Sequence, residues 1–284
     1  MKNLASPKIV KEIIKKHGFH FSKKLGQNFL IDYNILDKIV EGARIEQEDG
    51  VLEIGPGIGT MTQVLSEMSD KVLAIEIDKS LLPILEETLR DYPNTKVIHG
   101  DVLRLPLEEI LHNNFGNKKI KVVANLPYYV TTSIIMKLLE EELPIESITI
   151  MIQKEVAQRI HATPGGKEYG ALSVAVQFYA QPHIITTVPP TVFMPPPSVE
   201  STVIRLDILK QPRVEVANRK LYFDVVKAAF GKRRKTLLNA LSSGNLGIEK
   251  KAIEEILSSI GIDGKRRGET LSLQEFADIA NNLE

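Results

Sequence analysis

The chain has 284 residues, 43% hydrophobic and 25% charged, a balance that fits one large globular domain with a smaller companion. It has no cysteine, which excludes disulfides, thiolate metal sites and any mechanism built on a thiolate nucleophile. The 36 Lys and Arg cancel the 36 Asp and Glu, yet the charges are segregated, with a net +6 over residues 1–24, −10 over 25–200 and +4 over 201–284.

An acidic middle between basic ends is the layout of a catalytic core that docks on a polyanion through its ends, although solvated surface charge alone produces the same split. No apolar run approaches the roughly 18 residues needed to span a bilayer, so no membrane contact is expected. The start of the chain lacks the apolar stretch of a secretory signal, which points to the cytoplasm; Lys-rich amphipathic starts also serve as organelle addresses. The six histidines (His17, His20, His99, His112, His161 and His183) show no close metal-binding spacing, and no metal is expected.

Residues 8–17 place Ile9, Val10, Ile13 and Ile14 on one helical face with Lys8, Lys11, Lys15 and Lys16 elsewhere, so 1–24 reads as a basic amphipathic arm. Lys23-Lys24-Leu25-Gly26-Gln27-Asn28-Phe29-Leu30 is turn-like and leads into a helix over 32–41. Short apolar runs then recur at 51–54, 72–75, 97–98, 122–124 and 148–152, with helical patterns including 61–68 and 80–90 between them. Such alternation with near-continuous apolar strands predicts an α/β fold whose mostly parallel sheet is covered on both faces. Two later strands fall at 184–188 and 201–206, and the loop between them, 189–197, is too rich in proline for regular structure. Beyond Leu209 the pattern turns helical, over 222–230, 235–241, 249–260 and 273–281. The expected division is therefore a catalytic domain over 1–208 and a small all-helical domain over 209–284.

Gly55, Gly57 and Gly59 follow the first main strand and precede a helix, where glycine lets backbone approach a ligand closely. Glu76 ends the next strand, 21 residues after Gly55, at the place of an acid that binds ribose hydroxyls. A tight turn and a surface acid are the plainer alternatives. A dinucleotide loop is disfavoured because Thr60 stands where the G-x-G-x-x-G spacing needs its last glycine. The pattern from Glu53 to Gly59 instead resembles the S-adenosylmethionine loop of class I methyltransferases, which implies a Rossmann-like fold. Asp101, after the third strand, is placed to accept from an adenine amino group or to cap a helix.

Asn125-Leu126-Pro127-Tyr128 directly follows an apolar strand. An aromatic amine is a poor nucleophile because its lone pair is delocalised into the ring. Acceptors on both of its N–H groups draw the nitrogen toward tetrahedral geometry. The Asn125 side-chain oxygen and the Leu126 carbonyl suit that task, with Pro127 fixing the turn and Tyr128 stacking on the base. Alignment with an already activated methyl carbon then supplies most of the rate. The plain alternative is a strand-ending turn. Phe193 is a candidate second stacking surface, or a core anchor beneath the proline loop. Lys227, Lys232, Arg233, Arg234 and Lys235 cluster with no acid among them and suit phosphate contacts, or form a solvated helix end; Lys265-Arg266-Arg267 adds a second group.

These motifs together resemble the ribosomal RNA adenine N6,N6-dimethyltransferase family, in particular its bacterial small-subunit branch, nearly end to end. The likeness rests on Leu25-Gly26-Gln27-Asn28-Phe29-Leu30, Glu53-Ile54-Gly55-Pro56-Gly57, Asn125-Leu126-Pro127-Tyr128, Pro195-Pro196-Pro197-Ser198-Val199 and Phe230-Gly231-Lys232-Arg233-Arg234-Lys235. The resemblance implies that Asn28, Leu30, Gly55, Gly57, Glu76, Ile77, Asp101, Val102 and Asn125 line the cofactor site. It implies dimethylation of two adjacent adenosines in a hairpin loop near the 3′ end of small-subunit RNA, late in subunit assembly, by a monomer. Lys23 and Lys24 join the C-terminal cluster as expected RNA contacts, since docking rests on the basic ends. Two other readings stand beside it: a relative that methylates a large-subunit adenosine and confers macrolide-type resistance, and a non-catalytic assembly or RNA-binding factor.

Overall fold

A computed structural model describes residues 4–22, 25–116, 118–232 and 234–283. Its strands are β1 (Phe29–Leu30), β2 (Gly50–Ile54), β3 (Lys71–Glu76), β4 (Thr95–His99), β5 (Ile120–Asn125), β6 (Ile145–Gln153), β7 (Ala180–Val188), β8 (Phe193–Met194) and β9 (Ser201–Ile208). Six helices fall before the end of β6 or directly between its neighbours: α1 (Pro7–His17), α2 (Tyr33–Ala43), α3 (Thr60–Met68), α4 (Leu82–Thr88), α5 (Leu107–Phe115) and α6 (Thr131–Glu140). Then come α7 (Lys154–His161), α8 (Ala171–Tyr179), α9 (Arg219–Phe230), α10 (Leu237–Ser242), α11 (Lys250–Ser259) and α12 (Leu273–Asn282).

Seven strands form one sheet in the order β4-β3-β2-β5-β6-β9-β7. The first five run parallel to their neighbours, and β9 is antiparallel to β6. Every residue of β2 is buried, as expected of a strand covered on both faces. On one face Leu36, Ile39 and Val40 of α2 and Leu65 of α3 pack with Val51, Val72 and Val123 from the strands. Strand order reverses between β2 and β5, so their carboxyl ends open a crevice, the usual ligand position in such sheets.

The chain forms two compact units, Met1–Ala157 with His183–Ile208, and Gln158–Pro182 with Leu209–Glu284. The expected division at 208/209 assigned 158–182 to the catalytic domain, whereas the contacts place that segment with the C-terminal helices. Tyr169, Val174 and Phe178 share a buried core with Tyr222, Val225 and Phe276. The Tyr169 hydroxyl donates to the Leu271 carbonyl at 3.0 Å, and the Phe178 and Tyr222 rings lie 5.0 Å apart.

The expected helix over 80–90 is a 3-10 turn, Lys79–Leu81, followed by α4 with proline in its first turn. The proline loop expected to be irregular contains a second 3-10 turn, Pro190–Val192, and β8. That short strand pairs antiparallel with β1, setting Phe29 opposite Met194 and Leu30 opposite Phe193. The turn-like segment before Leu30 is thus held against a loop far away in sequence.

Candidate active site

A cavity opens at the carboxyl ends of β2 to β5, and every cofactor and acceptor residue anticipated from sequence lines it. Its floor is the loop after β2. Gly55 and Gly57 have φ of +74° and +60°, a left-handed backbone that disfavours a side chain. A Cβ on Gly57 would sit 3.1 Å from the Phe29 ring, so glycine also admits the N-terminal segment. Gly59 then starts α3, whose free N–H groups face the loop.

Glu76, at the end of β3, is buried and bridges the walls. Its Oε2 accepts from the Gly57 N–H at 3.3 Å and its Oε1 from the Asp78 N–H at 2.8 Å. Burial pushes its carboxyl up to about 7, the hydrogen bonds from Asp78 and Gly57 oppose the rise, and the Asp78 charge adds to it. Ile77, next in the chain, is 49% exposed at the cavity edge and offers a flat apolar surface. Asp101 accepts from the Leu103 N–H at 3.0 Å, capping a turn rather than a helix, because α5 begins only at Leu107. Val102 is buried beside it.

Glu53, the acid that opens the glycine-loop motif, also belongs to this cavity. It is 0% exposed and lines the cavity, and its polar neighbour, the Thr62 hydroxyl, falls short of full hydrogen-bond geometry. Burial pushes its carboxyl up to about 8; the Thr62 hydroxyl opposes the rise and the Glu76 charge adds to it. A buried acid on a ligand cavity keeps its proton while the cavity is empty and suits a cationic group, which would favour its ionised form. The signal was present in the sequence as an acid ending an apolar strand.

The acceptor side is built by β5 and the turn after it. Asn125 Nδ2 donates to the Asn28 carbonyl at 3.2 Å, so Oδ1 is the atom that can accept from a ligand. Pro127 accepts from the Val130 N–H at 3.2 Å and the Thr131 hydroxyl at 3.1 Å, which fixes the turn into α6. The half-buried Tyr128 is tethered through its hydroxyl to Ser201 Oγ at 2.7 Å, and burial raises its phenol. Phe193 is 4% exposed; it both lines the cavity and belongs to the buried cluster containing Leu30 and Ile35, so the two readings of it meet in one ring.

A chain of hydrogen bonds ties these walls together. Gln27 accepts from the Ser22 N–H at 2.8 Å and donates to Asp78 Oδ2 at 2.6 Å. Burial works against the Asp78 charge, but donors from Ser80 and Gln27 hold its carboxyl below the usual value. Asp78 in turn donates to Glu76, while Asn28, beside Gln27, receives Asn125.

Lys227, Lys232, Arg234 and Lys235 are exposed at the end of α9 and the turn after it, in the second unit. Lys23, Lys24 and Arg233 lie outside the described residues. Among the described residues no group of His, Asp and Glu could hold a metal, and no helix is long and apolar enough to cross a membrane.

The glycine cradle, the ribose-type acid and the buried Glu53 fit S-adenosylmethionine, and with the sheet order they define a class I methyltransferase that uses this cofactor. The sequence model of ribosomal RNA adenine dimethylases matches residues 18–283. The chain therefore belongs to that family. It is 59% identical over 283 residues to "Ribosomal RNA small subunit methyltransferase A" of Alkaliphilus oremlandii, covering 100% of this chain and 99% of that one. Among solved structures it resembles a dimethyladenosine transferase from Plasmodium falciparum, at TM-score 0.76 and 24% identity over 88% of this chain and 95% of that one. It also resembles the 23S rRNA methyltransferase ErmE, at TM-score 0.67 and 26% identity over 90% and 99%.

Proposed function

We propose that this chain transfers methyl groups from S-adenosylmethionine to the N6 amino groups of two adjacent adenosines in a loop near the 3′ end of small-subunit rRNA. The product is N6,N6-dimethyladenosine, formed in the cytoplasm on a late pre-ribosomal small subunit. The observation that carries this reading is the oriented Asn125 amide, whose Nδ2 is engaged by Asn28 so that Oδ1 is the acceptor at the cavity.

The cofactor, when bound, supplies a methyl carbon made electron-poor by its sulfonium. Glu53 suits the ammonium of its methionine part, Glu76 the ribose hydroxyls, and Asp101 the adenine amino group, with Ile77 and Val102 against the adenine faces. Asn28, Leu30, Gly55 and Gly57 close around it. In the first transfer Asn125 Oδ1 and the Leu126 carbonyl accept the target's two N6–H bonds, in the second one of them accepts the remaining N6–H, and each time they aim the lone pair while the nitrogen's surplus proton passes to water. Tyr128 and Phe193 hold the ring in plane. A base entering here must be unpaired first, which fits a loop rather than a duplex. All of these residues belong to one cavity of one chain, so a monomer suffices. Lys23, Lys24, Lys227, Lys232, Arg233, Arg234 and Lys235 supply phosphate contacts.

The full-length 59% relative, named for the small subunit, favours this reading over a large-subunit target, for which ErmE at 26% is the comparison. The test is incubation with methyl-labelled cofactor and, separately, undermodified small and large subunits, followed by nucleotide mapping. Label on N6 of adjacent small-subunit adenosines is expected. Label confined to the large subunit would support the resistance-type reading, and no label on either would support a non-catalytic factor.

A further inference from the structure

Tyr129 is 65% exposed, the most exposed large hydrophobic side chain among the described residues, and it lies on the rim of the cavity next to Tyr128. Exposure of one aromatic ring means little by itself. Three further observations give this ring a task. Its position is fixed by the turn that Val130 and Thr131 hold through the Pro127 carbonyl. Its Cδ1 and Cε1 lie 3.7 and 3.8 Å from where a Cβ on Gly26 would stand, with Pro127 Cβ 3.4 Å from the same point. Gly26 has φ +58°, so a side chain there is strained as well as crowded, and the absence of one gives the tyrosine a backing of main chain. The ring is therefore supported on one side and open to solvent over most of its area.

We propose that Tyr129 is a stacking platform for the nucleotide adjoining the target adenosine, a substrate contact additional to Asn125, Leu126, Pro127, Tyr128 and Phe193. The inference rests on the reading of the cavity as a base-binding site. An unpaired strand that inserts one base beside Tyr128 must leave the cavity at its rim, carrying the next base with it. Tyr128 is half-buried within the cavity and Tyr129 is exposed at its rim, so the two successive rings stand at an inner and an outer position along that path. Stacking is indifferent to hydrogen-bond edges, because every base has a π face. The adjoining nucleotide is accordingly held as a ring, with its identity left to other contacts.

The experiment uses the full chain, S-adenosylhomocysteine and an RNA hairpin with two adjacent loop adenosines. Hairpins carrying an abasic residue on either side of the target, or 2-aminopurine there, complete the set. Tyr129→Ala is expected to weaken RNA binding about tenfold, with Tyr129→Phe close to the parent and an unchanged thermal midpoint showing an intact fold. The abasic hairpin should lose a similar factor with the parent protein and almost nothing more with Tyr129→Ala, since ring and base are then already parted. 2-Aminopurine fluorescence should be quenched on binding to the parent and not to the alanine variant. Losses that multiply independently, equal quenching in both proteins, or unweakened binding by Tyr129→Ala would overturn the platform. Failure of the parent protein to methylate adenosine would instead overturn the base-binding reading, and the platform with it.

Discussion

Two side chains, Asn125 and Glu53, carry opposite kinds of consequence. Asn125 donates its amide to the Asn28 carbonyl, and under the proposed function its free Oδ1 accepts from the target amine. Asn125→Ala should abolish transfer while cofactor affinity, measured by calorimetry, stays within about tenfold, roughly 1.4 kcal/mol; full transfer activity would refute the assignment. Under the same proposal Glu53 serves the cofactor, at a cost to the empty fold. Its carboxyl is raised from 4.5 to about 8 by burial, so the folded chain retains a proton that the unfolded chain has released. Stability from this group is complete below about pH 4.5 and is lost as pH rises through about 8. The ligand-free parent should thus melt at a lower temperature at pH 9 than at pH 6. Glu53→Gln should remove much of that difference, on the order of a few kcal/mol at pH 9, and should weaken cofactor binding. A variant that melts like the parent at both pH values would show that Glu53 is already partnered.

At the scale of elements, the segment Leu25–Leu30 links two sites that the sequence describes separately. Gln27 reaches Asp78 on the ribose side, and Asn28 receives Asn125 on the acceptor side. Gln27→Ala removes a hydrogen bond to a carboxylate, worth about 1.5–3 kcal/mol. Cofactor affinity should fall at least tenfold, and transfer should fall further because Asn125 loses a fixed partner. Equal activity in the variant would show the link to be incidental. The glycine loop, Glu76 and the Asn125 turn were legible in sequence because each is a local pattern at a strand end. The β1–β8 pairing was not, since two-residue strands have no period and their partners lie more than 160 residues apart. Helix α8 is not legible in sequence for a related reason. In α8, Ala171-Leu172-Ser173-Val174-Ala175-Val176 is apolar on nearly every side, so no stripe separates helix from strand. The role of Glu53 is not legible there because burial is a property of the packed sheet, not of the motif.

For the whole molecule, the charge segregation read from sequence meets a division into two units that local patterns only partly reveal. Residues 158–182 join the helical unit through Tyr169, Val174 and Phe178, contacts made across long sequence separations. That unit carries Lys232, Arg234 and Lys235 exposed beyond α9. Replacing Arg234 and Lys235 together by Ala should lower the slope of log affinity against log salt by about two for RNA. An unchanged slope would mean these cations are surface only. The account as a whole depends on one alignment, of an adenosine amine held by Asn125 in front of the cofactor's methyl group. A crystal structure with S-adenosylhomocysteine and an adenosine-bearing RNA loop tests it directly. The account expects Asn125 Oδ1 about 2.7–3.2 Å from the target N6, with Tyr128 against the ring. An RNA-bound structure in which that amide points into the protein, and N6 meets no acceptor, would contradict it.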